Sequence, residues 1–319
     1  MPDNRSSIAS VQSSVTAIPL HAPKFDVPIP EKAGKARIFV SDSLLNALFG
    51  YQEVGGAPTY AVSAGLNQPQ GLATDKSGKV YLANTNDYQI LVFRPPSTKP
   101  VLTIPDPNVY PTGVAVDANG NIWVSNLYTI TSPCCGPGNV QEYSSAGALE
   151  ATIECANIYK YYFVAVDSKG NVAVDGFNIS AETQVGYIAS GTNSCVALSS
   201  ITADFPGGLQ FTHEDDLAVD DQLANNYHGV VTTYGKSPLF RHVIHVTEFN
   251  DAFIDPVTIA LTAHDADIWT ADAGANGGGS RPQSAGVALF LYPHGGSPSK
   301  TITGPYEPVG IAVRPPPRY

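Results

Sequence analysis

Between Pro69 and Val313 the chain restates one phrase, and this repeat limits what it can fold into more than any other feature. It reads Pro69-Gln70-Gly71-Leu72-Ala73-Thr74-Asp75-Lys76-Ser77-Gly78-Lys79-Val80-Tyr81-Leu82-Ala83-Asn84. It returns as Pro111-Thr112-Gly113-Val114-Ala115-Val116-Asp117-Ala118-Asn119-Gly120-Asn121-Ile122-Trp123-Val124-Ser125-Asn126. Each copy is an apolar strand, a polar hairpin whose Gly supplies a positive φ, and a second strand of β-branched and aromatic residues. Two further strands follow, as at Gln89–Phe93 and Pro100–Ile104. Weaker copies align on the hairpin, so the anchor falls at Asp75, Asp117, Asp167, Thr212 and Thr262, in steps of 42 to 50 residues. Short strands at such a period are the signature of a propeller.

The chain ends supply the sixth unit. Pro308–Val313 is an inner strand with no second strand after it, and Arg37–Asp42 is a second strand with no inner strand before it. Pairing them closes the ring and removes the free sheet edges that invite aggregation. The expected fold is therefore an all-β, six-bladed propeller of four-stranded antiparallel blades over residues 36–313. Residues 1–35 read as a flexible leader or an N-terminal arm lying along the propeller, and 314–319 as a C-terminal tail.

The block Asp-x-x-Gly-x-(Val/Ile)-(Tyr/Trp)-(Val/Leu)-(Ala/Ser)-Asn, followed by Gln89–Phe93, resembles the NHL repeat family across residues 36–313. Propellers similar in fold include lactonases, lyases, sensor domains and protein- or RNA-binding modules. The resemblance therefore implies an architecture and leaves both binding and catalysis open. Gluconolactonase-like propellers carry a Glu-Gly-Pro-x-Trp segment that is missing here, and lyase-like ones use mouth-facing histidines, of which only His228 qualifies.

The formal net charge of −11 argues against a phosphate-binding surface, so no nucleic acid is expected. No apolar run approaches the roughly 20 residues of a membrane span. The absence of a signal peptide fits a mature, extracytoplasmic protein whose signal has been removed, and a monomer is expected. Of the four cysteines, Cys134 and Cys135 share a Pro- and Gly-rich loop. The favoured reading is a staple there, either vicinal or from that loop to Cys155. A Cys155–Cys195 bond is not expected, because the strand plan puts the two residues on opposite faces. Free thiols are the alternative, and the spacing is poor for a metal.

In a propeller the second strands end around the channel mouth, which gathers Asp42, Asn84, Asn126, Gly176, Asp221 and Asp272. Five of these carry the oxygens that a hard cation such as Ca²⁺ takes. The competing reading is that each caps the turn that follows it. Loops on the same face bring Tyr110, Tyr128, Tyr159, Lys160, Tyr227, Tyr306 and Glu307. This aromatic, acidic rim suits a small molecule, a glycan or a peptide. His228 is the one candidate general base. Two functions follow. The first is a binding propeller that uses its mouth. The alternative is a Ca²⁺-dependent lactonase, esterase or lyase whose metal polarises a carbonyl. No organic cofactor is expected. The glycine-rich run from Gly274 to Gly279 reads as a flexible insertion over the mouth.

Overall fold

In a computed structural model, described for residues 37–130, 135–236, 239–274 and 285–314, the chain forms six four-stranded sheets around a central channel. The leader, Cys134, the segment 275–284 holding most of the glycine-rich run, and residues 315–319 lie outside the described residues.

From the channel outward, blade 1 is β24 (Pro308–Val313), β1 (Ile38–Asp42), β2 (Ala47–Tyr51) and β3 (Tyr60–Val62). Blade 2 follows as β4 (Pro69–Thr74), β5 (Val80–Asn84), β6 (Gln89–Phe93) and β7 (Pro100–Pro105). Blade 3 is β8 (Val109–Val116), β9 (Ile122–Thr129), β10 (Asn139–Tyr143) and β11 (Leu149–Ile153). Blade 4 is β12 (Lys160–Val166), β13 (Val172–Phe177), β14 (Thr183–Ile188) and β15 (Cys195–Ala197). Blade 5 is β16 (Pro206–Phe211), β17 (Leu217–Asp221), β18 (Val230–Tyr234) and β19 (Val243–Glu248). Blade 6 is β20 (Pro256–Leu261), β21 (Asp267–Asp272), β22 (Gly286–Leu291) and β23 (Gly295–Ile302). The ring closes as the sequence implies: β24 pairs antiparallel with β1, from Ile38 opposite Val313 to Ser41 opposite Gly310.

The repeat's Asp is the organiser of its hairpin. Asp117 Oδ1 accepts from the amides of Asn119 and Asn121, both at 2.8 Å, and Asp167 Oδ1 does the same for Lys169 and Asn171. Where the repeat has Thr instead, the hydroxyl takes over, with Thr212 Oγ1 accepting from Asp216 N and Thr262 Oγ1 from Asp267 N, each at 3.1 Å. The left-handed position three residues on is Gly78, Gly120 and Gly170 in the regular blades. It is Asp215 (φ 65°) and Asp265 (φ 50°) in the degenerate ones, a residue type that tolerates this conformation.

The core is divided rather than central. Six apolar clusters stand one at each blade interface, such as Ile38, Val40 and Phe49 of blade 1 against Trp269, Val287 and Leu289 of blade 6. Closing the ring is therefore what buries the last interface, because a lone blade leaves both its faces wet.

One expectation is overturned at the rim. Cys155 and Cys195 form a disulfide, with Cα atoms 5.1 Å apart. Cys135 is disulfide-bonded as well, so a bond between it and Cys155 is also excluded. The face assignment holds for the inner strands and fails further out. Each strand turns by roughly 20–25° relative to its neighbour, so the outer strands lie oblique to the channel and one blade's upper end meets the flank of the next. The bond crosses over β14 at Gly186, where a Cβ would stand 2.7 Å from Cys195 Sγ and 2.9 Å from Cys155 Sγ.

Every inner strand carries a register break near its mouth end, at Pro69/Leu72, Pro111/Gly113, Tyr161/Val164, Pro206/Leu209, Pro256/Thr258 and opposite Ser41/Asp42. These bulges press the strand against its neighbours. They also explain why blade 4 lacks the polar residue that ends the other second strands. A Cβ on Gly176 would lie 1.8 Å from the Lys160 carbonyl oxygen and 2.9 Å from Ile158 Cγ2. Gly176→Ala is accordingly expected to cost about 3 kcal/mol, the upper end of ordinary overpacking, because the obstructing atom is paired backbone. The midpoint of denaturant unfolding measures this, and an unchanged midpoint contradicts it.

Candidate binding face at the channel mouth

The channel itself is nearly full. Leu72, Val114, Val164, Leu209, Ile259 and Ile311, one from each inner strand, form an aliphatic ring. Around it lie a cavity of about 50 Å³ towards the mouth and one of about 90 Å³ beyond. Small-molecule pockets run to about 300–1,000 Å³, so what the mouth offers is a surface and not a hole.

The six residues ending the second strands are brought to equivalent places, and the side chains of Asp42, Asn84 and Asp221 are committed to loop amides. Asp42 accepts from the amides of Leu45 (2.9 Å), Tyr306 and Glu307 (3.2 Å), clamping the connection that enters β24. Asn84 accepts from Asn67 N at 2.7 Å and donates to Gly65 O at 3.0 Å. Asp221 accepts from Asp204 N at 2.8 Å, Phe205 N at 3.2 Å and Leu223 N at 3.3 Å. Asn126 donates to Asn139 Oδ1 at 2.9 Å, and Asp272 accepts from the Thr270 hydroxyl at 2.6 Å. Three of the five thus cap loop amides, whereas Asn126 and Asp272 bond to side chains on their own blades. Among the described residues no three His, Cys, Asp or Glu side chains come together as a metal-holding group.

His228 sits in the turn after Ala224–Tyr227, on the mouth side between blades 5 and 6. Its Nδ1–H donates to the Phe253 carbonyl at 3.1 Å, and Asp251 stands 3.8 Å away. The ring is thereby oriented as a brace between two loops. Burial raises the Asp251 carboxyl above the usual range, opposed by the Phe253 amide and by His228.

The tyrosines do gather. Tyr110 and Tyr128 stack with centroids 4.9 Å apart and planes 15° apart, and Tyr88 meets Tyr110 edge-on at 6.2 Å. The Tyr110 hydroxyl donates to Asn86 Oδ1, with Gln68 Oε1 at 3.3 Å. Burial pushes this phenol up to about 12. Tyr88 is held in a left-handed conformation (φ 52°) and is 39% exposed. Tyr227 is 53% exposed, while the Tyr159 hydroxyl donates to Cys135 O at 3.1 Å. Burial lowers the Lys160 ammonium and raises the Glu307 carboxyl.

A second aromatic group escaped the sequence reading. Tyr162, Phe177 and Phe205 meet edge-on at 5.0 to 6.1 Å around the mouth end of blades 4 and 5. The signal was available: Tyr162-Phe163 stands where blades 2 and 3 have Gln70-Gly71 and Thr112-Gly113.

The basic side chains divide unevenly between the two faces, while carboxylates stand on both, with Asp75, Asp117, Asp167, Glu214 and Asp265 at the far hairpins. The mouth-side loops carry Asp87, Glu182, Asp204, Asp221, Asp255 and Glu307, whereas Lys160 is the one lysine or arginine on that face among the described residues. The others, including Lys76, Lys79, Lys169, Lys236 and Arg314, stand at the opposite hairpins and strand ends or on the outer rim.

This fold and face define a six-bladed propeller with a closed channel and an acidic, tyrosine-bearing mouth. Residues 66–93, most of blade 2, match the NHL repeat. Three solved structures share the fold. A protein of unknown function from Bacteroides caccae is 12% identical, with a TM-score of 0.65 over 88% of this chain and 99% of that one. A chain of a nidogen–laminin complex is 13% identical, with a TM-score of 0.64 over 87% and 98%. A functionally unknown protein from Desulfotomaculum acetoxidans DSM 771 is 12% identical, with a TM-score of 0.58 over 87% and 98%. Comparison with curated proteins gave no match. No helix among the described residues is long and apolar enough to cross a membrane.

Proposed function

We propose that this protein is an extracytoplasmic NHL-type propeller that holds a cationic, extended polypeptide segment on its mouth face. The observation that carries the reading is the uneven division of basic charge. Carboxylates share the mouth face with the exposed tyrosines, and the described basic side chains, apart from Lys160, lie elsewhere. Lysine and arginine side chains gain there from the carboxylates and from the tyrosine faces. The filled channel supports an extended ligand lying across the mouth over a compact one lodged within it. The disulfides support an oxidising compartment.

The test is fluorescence anisotropy with a short labelled peptide rich in Lys and Arg, beside one rich in Glu. The basic peptide is expected to bind, to weaken as salt rises, and to lose about ten-fold or more in affinity with Tyr88→Ala or Tyr128→Ala. Equal binding of the acidic peptide, or affinities untouched by both variants, contradicts the reading. Salt-independent binding of a neutral oligosaccharide at the same tyrosines replaces it with glycan recognition.

A further inference from the structure

Beneath the Tyr88, Tyr110 and Tyr128 group the apolar interface of blades 2 and 3 ends in a polar chamber. Three rows of that interface each continue into a polar residue: Ala83 into Thr85, Ile104 into Asp106, and Val124 into Asn126. Tyr143, in the same cluster, supplies a hydroxyl, and Asn139 and Gln141 precede it on its side of β10. Thr85, Asp106 and Asn126 are 0% exposed, and Asn139 and Gln141 are 5% and 9% exposed.

Thr85 Oγ1, Asp106 Oδ2 and Asn126 Oδ1 have no hydrogen-bond partner. The single Tyr143 proton faces two acceptors, Asp106 Oδ1 at 2.8 Å and Gln141 Oε1 at 2.7 Å. The Asn126 amide donates to Asn139 Oδ1 at 2.9 Å and also faces the Asp106 carboxyl, while its own oxygen has no hydrogen-bond partner. Unpartnered buried acceptors are costly, and native proteins satisfy them with a donor, a water or an ion.

We propose that this chamber binds a hard cation, Ca²⁺ or Na⁺, through Asp106, Asn126 and Thr85. Carboxylate, amide and hydroxyl oxygens are the ligands such ions take. With one carboxylate and several neutral oxygens, the set differs from the groups of three acidic, His or Cys side chains that mark many metal sites, and it is separate from the ring of strand-end caps except at Asn126. The ion also has a structural consequence. Asp106 N–H donates to the Tyr88 carbonyl at 2.8 Å, so a cation joining Asp106 to Asn126 fixes the loop that presents Tyr88 against blade 3.

The test is thermal unfolding of chelator-treated protein in choline chloride, NaCl and KCl at matched ionic strength, and with added CaCl₂ or MgCl₂. Ca²⁺ or Na⁺ is expected to raise Tm saturably by a few degrees. Asp106→Asn is expected to abolish the rise, while Asp221→Asn, at the mouth rim, retains it. Asn126→Asp adds a second carboxylate and is expected to shift the Ca²⁺ response to about ten-fold lower concentration, a readout that survives if Asp106→Asn fails to fold. A chamber holding only water gives no salt-specific shift, or the same shift in Asp106→Asn. Either result overturns the proposal, as does an unchanged Ca²⁺ response in Asn126→Asp or a response lost in Asp221→Asn.

Discussion

The protein is expected to be more stable at pH 5 than at pH 7.5, the reverse of ordinary acid denaturation. The cause is a set of carboxyls buried near the mouth of blades 4 to 6. Burial pushes Asp255 up to about 6, and Asp175, Asp220 and Asp272 well above the usual range. The charges of Asp272, Asp221 and Asp255 add to the shift at Asp220. A carboxyl held above its unfolded value stabilises the native state fully below about 4. That contribution disappears as pH rises through the folded value, because the unfolded chain releases the proton first. For Asp255 alone the whole shift corresponds to about 3 kcal/mol, of which about half is lost between pH 5 and 7.5. The repeat gives a reason for protonated acids here. Ser41 donates to the Gln70 carbonyl of the next blade, and Ser125 to the Tyr162 carbonyl at 2.9 Å. Asp175 and Asp220 occupy the same place in their blades, and neutral carboxylic acids restore the hydroxyl that the serines use. Denaturant midpoints at the two pH values measure the effect, and Asp255→Asn is expected to flatten it. Stability that rises steadily from pH 5 to 7.5 contradicts the account.

Removing the Cys155–Cys195 bond is expected to be the most damaging change at the rim. The two residues are separated by 40 positions. Opening a loop of that length releases enough unfolded-state entropy to cost about 4 kcal/mol, or roughly 10 °C in Tm for a domain of this size. The segment it spans includes the exit from β11, all of β12 to β14 and the start of the three-residue β15, whose short ladder does little to hold the edge of blade 4. The comparison is Cys155→Ala, Cys195→Ala against the parent without reductant, which leaves the bond at Cys135 in place. A shift within about 2 °C contradicts the assignment of blade 4's cohesion to this bond.

The blades and their closure were legible because the hairpin phrase is a local signal with a fixed purpose. Asp, Asn and Gly organise each turn through their own backbone, so the pattern survives even where Thr212 and Thr262 replace the Asp. The Cys155–Cys195 pair was misread because strand order says which face a residue leaves from, not how far four strands of twist carry it. At the mouth, residue type placed Tyr110 beside Tyr128 on one face, but only the fold shows that they stack. It also shows Asp42, Asn84 and Asp221 spent on loop amides. The chamber at Asp106 could not be read from sequence at all, since it joins residues of two blades whose periodicity is that of core positions.

The central claim is that the acidic, tyrosine-bearing mouth is the working face. Hydrogen–deuterium exchange with and without the Lys- and Arg-rich peptide tests it most directly. The account predicts protection confined to the mouth loops around Thr85–Tyr88, Tyr128, Asp204–Phe205 and Tyr306–Glu307, and none at the hairpins of Asp75, Asp117 and Asp167. Protection at those hairpins, or on the outer strands alone, contradicts it.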